Sequence, residues 1–136
     1  MSSPLIEQLV EQYHYPRATA DNLTDLLDTE KTLALFFTED PKRYPESNDV
    51  AVILPELAKA FPEQFSPVVV DRELEPELKA RYAVNIWPTI VFIRQGRFLG
   101  KLSKVMDWSD YMERIPEILN SDTQHNPGIG IPVVAQ

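Results

Sequence analysis

Two short apolar runs and the pair of residues between them constrain this chain most. Thr89-Ile-Val-Phe-Ile-Arg94 and Arg97-Phe-Leu-Gly-Lys-Leu102 are rich in β-branched and aromatic residues, and only Gln95-Gly96 separates them. A two-residue spacing that ends in glycine predicts an antiparallel hairpin, because tight hairpin turns need backbone that glycine adopts freely. Pro88 stands just before the first run. A residue preceding proline avoids the helical region, so any helix upstream must end before it.

A hairpin of this kind needs more layers to bury it. Lys31-Thr-Leu-Ala-Leu-Phe-Phe37 is an apolar run of strand length, of the sort found where both faces of a sheet are covered. Phe65 to Val70, closed by Asp71, predicts a second strand. Between them Val50, Ile53, Leu54, Leu57, Ala58 and Phe61 recur at helical spacing, with Ser47, Asn48 or Asp49 available as a cap. Pro55 lies inside that pattern and is expected to kink it. Strand, helix, strand implies a right-handed parallel crossover.

Glu75 to Tyr82 predicts a short helix with Pro76 in its tolerant first turn. At the front, Leu5, Ile6, Leu9, Val10 and Tyr13 predict a helix over 3–14, capped by Ser3 and Pro4 and ended before Pro16. Asn22 to Asp28 is a shorter helical turn. At the back, Asp107 is expected to cap a helix whose Trp108, Tyr111, Met112, Ile115 and Leu119 form one core-facing stripe, disturbed by Pro116. The fold class that follows is α/β: a central mixed sheet with helices on both faces. One domain is expected over 1–120, with its core in 31–119. Residues 121–136 hold two prolines and two glycines without periodicity, and are expected to form a mobile tail.

Charge and composition narrow the function. The 136 residues carry 21 acidic and 13 basic side chains, a net charge of −8, which disfavours nucleic acid and favours a basic peptide as partner. No cysteine is present, so there is no thiolate nucleophile and no cysteine-based metal site. His14 and His125 stand apart with no ligand spacing, so neither a metal nor another cofactor is expected. Ser47 has no histidine partner at triad spacing. The chain is therefore expected not to be an enzyme. The Met1-Ser2-Ser3-Pro4-Leu5 start lacks the basic patch and apolar run of a secretory signal, and no stretch is apolar enough to enter a membrane. A cytoplasmic location is expected.

Tyr82-Ala-Val-Asn-Ile-Trp-Pro-Thr89, running into the Ile90–Gly96 strand and turn, closely resembles the thioredoxin segment in which a helix ends, a cis proline follows and a strand enters a glycine hairpin. Leu33–Phe37 ahead of Pro55, and Val69-Val70-Asp71 ahead of a short helix, match the same fold in order. The likeness implies a thioredoxin-like fold over roughly Lys31 to Leu119 and a cis bond between Trp87 and Pro88. Counting back from Pro55, taken as that fold's helix proline, the Cys-x-x-Cys pair falls on Ser47-Asn48-Asp49-Val50. None of these supplies a thiolate, so disulfide exchange has no attacker.

The cysteine-free frame, the Val-Val-Asp-Arg-Glu-Leu-Glu-Pro stretch, Ile-Trp-Pro-Thr and Asp107-Trp108 together resemble the HyaE/HupG family of NiFe-hydrogenase accessory proteins. That resemblance implies a non-catalytic chaperone of hydrogenase maturation. Its partner would be the small-subunit precursor, bound through the twin-arginine signal peptide before export, with other hydrogenase maturation proteins as further partners. The alternative is a structural adaptor that holds a folded maturation partner and captures no peptide. A basic-then-apolar leader needs carboxylates beside apolar surface. Asp71, Glu73, Glu75 and Glu77 put four carboxylates in seven residues, and Glu39, Asp40, Glu46 and Asp49 flank the degenerate redox positions. These eight, with Trp87 and Pro88, are the candidate peptide-binding residues. Helix-start charge explains the Asp71–Glu77 run equally simply, and core packing is the competing role for Trp87.

Overall fold

Side-chain alternation along the strands sets the layering. The structure, a computed structural model, describes residues 3–121, so all of the expected tail beyond Ser121 and His125 lie outside the described residues. Strands β1 (Arg17–Ala18), β2 (Thr32–Phe37), β3 (Ser66–Val70), β4 (Thr89–Arg94) and β5 (Arg97–Ser103) form one sheet in the order β1-β3-β2-β4-β5. β3 runs parallel to both β1 and β2, while β4 is antiparallel to β2 and β5 to β4. Gln95 and Gly96 both have positive φ, 51° and 78°, as the predicted two-residue turn requires.

Period-two alternation sends Ala34 and Phe36 to one face of the sheet and Leu33, Leu35 and Phe37 to the other. The first face is covered by α1 (Pro4–Glu11), α3 (Glu46–Ala60) and α5 (Trp108–Leu119) through Ile6, Leu9, Leu54, Leu57, Tyr111 and Ile115. The second is covered by α4 (Glu75–Tyr82), through Leu78 and Tyr82, and by the half-buried leucines of α2 (Leu23–Asp28). Each fully buried leucine or phenylalanine contributes about 1.5–3 kcal/mol of transfer free energy, so two covered faces give a sheet this size a sufficient core. The three-layer arrangement and the cis Trp87–Pro88 bond are those of the thioredoxin-like fold.

Local expectations fared unevenly. β1 was not foreseen: a two-residue edge strand leaves no periodicity, and it exists through Val69 N–H donating to the Pro16 carbonyl and Asp71 N–H to that of Ala18. α3 begins at Glu46, with Pro45 before it, so none of Ser47, Asn48 or Asp49 caps it. It continues through Pro55 as one helix, and α5 does so through Pro116. Asp107 does take the N-cap position of α5, in extended backbone, though its side chain makes no cap bond. Tyr111 is buried as expected, whereas Trp108 is 48% exposed. Trp108 is the first residue of α5, whose buried positions are Tyr111, Ile115, Ile118 and Leu119, further along the helix.

One consequence of the topology positions the site. Ala18 pairs with Val70, Phe36 with Val69, Phe37 with Thr89, and Thr89 with Ser103. The loops that leave β1, β2, β3 and β5 and the turn that enters β4 therefore emerge side by side along one rim of the sheet. Among the described residues no helix is long and apolar enough to cross a membrane.

Candidate functional site

The degenerate redox positions occupy the first turn of α3 at the middle of this rim. Ser47 is completely buried and its hydroxyl donates to the Thr38 carbonyl at 2.8 Å, tying the helix start to the end of β2. Asn48 accepts from the Ser3 hydroxyl, which also accepts from Ile6 N–H at the start of α1. Asp49 is exposed and Val50 is buried. The Ser47 hydroxyl and the Asn48 amide are thus spent on holding loops and helices together. Any side chain at position 47 faces inward.

Beside this turn the carboxylates divide by role. Glu75 is only 4% exposed, and one of its oxygens accepts from Thr38 N–H and Glu39 N–H, both at 3.0 Å. Burial pushes its pKa up, against the lowering effect of those two amides and of Arg72. It clamps the loop after β2 to the start of α4 and does not stand at the surface. Glu39 pairs with Arg72 at 3.5 Å, and Asp40 accepts from Lys42 N–H within its own loop. Glu46 accepts from Val105 N–H at 3.1 Å and pairs with Lys104 at 3.2 Å; those two partners, the amide first, hold its carboxyl below the usual range.

The remaining three candidates lie together. Asp71, Glu73 and Glu77 line an open cleft of about 490 Å³ with Thr19, Ala20, Asp21 and Leu74, between the ends of β1 and β3. Among the described residues none of the four carboxylates in that cleft has a lysine or arginine at ion-pair distance. The Asp71 carboxylate accepts from Glu73 N–H at 3.2 Å within its own turn, which leaves the carboxylates of Asp21, Glu73 and Glu77 the free ones of the four.

Trp87 is half-buried. Its ring lies 5.5 Å from that of Tyr44 and 5.4 Å from the Lys79 ammonium, and it packs against the α4-side core. The indole N–H is buried without a hydrogen-bond partner. Pro88 is buried, and its carbonyl accepts from Lys104 N–H at 2.7 Å, which joins the cis-proline turn to the loop after β5.

The family model for the hydrogenase-1 expression protein HyaE matches residues 5–111 of this chain. The chain belongs to the HyaE family. It is 45% identical over 131 residues to the hydrogenase expression/formation protein HoxO of Azotobacter vinelandii, covering 96% of this chain and 88% of that protein. To the hydrogenase expression/formation protein HupG of Rhizobium leguminosarum bv. viciae it is 38% identical over 138 residues, covering 98% and 93%. The crystal structure of hupG from Rhodopseudomonas palustris CGA009 superposes with a TM-score of 0.55 at 35% identity, covering 76% of this chain and 94% of that one. The chain is thus a hydrogenase expression/formation accessory protein with a thioredoxin-like fold.

In this HyaE-family chain the rim brings together more than the sequence singled out. Asp21 joins the carboxylate cleft from the loop after β1, fifty residues away from Asp71 in the chain. No local pattern marks it, since the unforeseen β1 is what carries it there. At the other end of the rim Ile86, Val105 and Trp108 are 46%, 39% and 48% exposed. Ile86 and Val105 stand just outside strand and helix patterns, whereas the helical spacing of Trp108 with Tyr111, Met112 and Ile115 predicts core. Among the described residues no cluster of three or more histidines, aspartates or glutamates is placed to hold a metal.

Proposed function

We propose that this chain is a non-catalytic chaperone of NiFe-hydrogenase maturation that binds the twin-arginine signal peptide of the small-subunit precursor before export. The observation that carries this reading is the cleft of Asp21, Asp71, Glu73 and Glu77, four carboxylates without ion-pair partners among the described residues, on the same rim of the sheet as the cis-proline turn. Guanidinium groups pair with carboxylates in bidentate geometry that an ammonium does not reproduce. Exposed pairs contribute only about 0–1 kcal/mol each, so the carboxylates give selectivity for a basic segment and apolar burial supplies most of the affinity. The cytoplasm, where such a precursor waits, is the location that fits.

Calorimetric titration with a synthetic small-subunit leader, beside a version with both arginines replaced by lysine, tests the reading. Saturable binding that falls with added salt and is weaker for the twin-lysine peptide is expected. In Glu73→Lys/Glu77→Lys, a folded double variant, affinity should drop further. Absence of binding to the isolated leader, with binding only to a folded maturation protein, would replace peptide capture by the adaptor role.

A further inference from the structure

We propose that Ile86, Val105 and Trp108 form the seat for the apolar segment of the bound leader, with Trp108 rather than Trp87 as its anchor. This rests on the signal-peptide reading above and adds to it the place and direction of the peptide. Hydrogen bonds join the segments that carry the three side chains, and Met106 N–H donating to the Tyr111 hydroxyl at 3.2 Å ties the Val105 loop to the helix that Trp108 opens. Lys104 N–H donates to the Pro88 carbonyl at 2.7 Å, Val105 N–H donates to Glu46, and the Ile86 carbonyl accepts from the Thr89 hydroxyl, itself 2.9 Å from that of Ser103. Their exposure is therefore a property of a fixed surface.

Six large apolar residues are substantially exposed among the described ones, and they fall into two groups. Leu5, Tyr13 and Val52 line a groove between α1 and α3, the helices that cover one face of the sheet, and none of them borders the carboxylate cleft. Ile86, Val105 and Trp108 lie at the β4–β5 end of the same rim that carries the carboxylate cleft at its β1–β3 end. Adjacent strands lie about 4.8 Å apart, so three strand spacings separate the two ends by about 14 Å, a span that four or five extended residues bridge. A peptide with a basic part followed by an apolar part meets charge at one end and exposed tryptophan at the other. Between them stand Glu39 paired with Arg72 and Glu46 paired with Lys104, together with Asp40, which accepts from Lys42 N–H, and the exposed Asp49. Trp87 is half-buried with Tyr44 and the Lys79 ammonium against its ring, so it offers a partner less free surface than Trp108. Asp107 and Asp110 border Trp108 at the start of α5, and they define the competing, reversed arrangement.

The chain has two tryptophans, so Trp87→Phe leaves Trp108 as the sole indole reporter. Titrating that variant with a tryptophan-free leader peptide should shift the Trp108 emission to the blue, saturably and in step with calorimetric binding. Trp108→Ala should keep the native circular dichroism and weaken binding about tenfold, as loss of an interface tryptophan does. Leader binding without a change in Trp108 emission would overturn this proposal and leave the signal-peptide reading standing. So would a twin-arginine preference that survives Glu73→Lys/Glu77→Lys but is lost in Asp110→Lys, because the peptide would then lie the other way round. No leader binding to the unsubstituted protein would overturn both.

Discussion

Glu75 provides the sharpest test of how this rim is held. Replacing it with alanine removes the one carboxylate oxygen that accepts both Thr38 N–H and Glu39 N–H. Thr38 is 4% exposed, so its amide has no route to water; Glu39 is half-buried and recovers part of its loss. A buried donor left unsatisfied costs about 1–3 kcal/mol, which puts Glu75→Ala at roughly 2–4 kcal/mol. For a domain this size that corresponds to a fall in Tm on the order of 10 °C. Glu75→Gln keeps an acceptor oxygen and sheds the burial cost of the charge, so it should stay within about 1 kcal/mol of the unsubstituted protein at neutral pH. The pH dependence has a definite sign. Burial raises the native pKa of Glu75 above that of the unfolded chain, so the folded state holds the proton more tightly. Its contribution is complete below the unfolded value of about 4.3 and declines as pH rises through the native one. Urea unfolding of both proteins from pH 4 to 8 should therefore show the unsubstituted chain losing ground to Glu75→Gln with rising pH. A Glu75→Ala cost under about 1 kcal/mol, near the worth of one ordinary hydrogen bond, would refute the clamp, and a pH trend of the opposite sign would show that the two amides outweigh burial.

Two further outcomes follow from the same packing. A Cβ at Gly100 would lie 2.8 Å from Cγ1 of Ile118 and 3.1 Å from its Cγ2, so Gly100→Ala should push α5 off β5 and cost about 1–3 kcal/mol by overpacking, read from the urea midpoint; an unchanged midpoint would mean that Ile118 moves aside freely. Ser47→Cys/Val50→Cys rebuilds the spacing of a redox pair at sites that are 0% and 2% exposed. Its thiols should label at least about 100-fold more slowly than a free thiol in the native state, because reaction must wait for local opening. Fast labelling would show that the burial of this turn is not what separates it from a working thioredoxin.

The layer structure was legible before any coordinates because it depends on patterns that repeat. The Thr89–Leu102 hairpin, the α3 stripe and the Lys31–Phe37 run each carry a periodicity or a turn signal strong enough to read locally. The resemblance carried by Ile-Trp-Pro-Thr and the cysteine-free frame led to the family, which the HyaE match and the HoxO and HupG relatives bear out. Chemistry was equally legible on one point: a chain without cysteine has no thiolate, whatever its fold.

The use made of each polar group was settled only in three dimensions. Glu73, Glu75 and Glu77 look alike in the sequence, yet the middle one turns inward to two amides of a loop some 36 residues away while its neighbours remain outside. Trp108 likewise departs from the core role its helical spacing suggested, being 48% exposed, while Trp87 is half-buried against Tyr44 and Lys79. Burial and hydrogen bonding are relations between segments distant in the chain, and a one-dimensional pattern records only the period of an element. The sequence by itself determined the absence of any thiolate and all the elements but β1. The tertiary structure decided which carboxylates are spent on the fold and which are left to meet a partner.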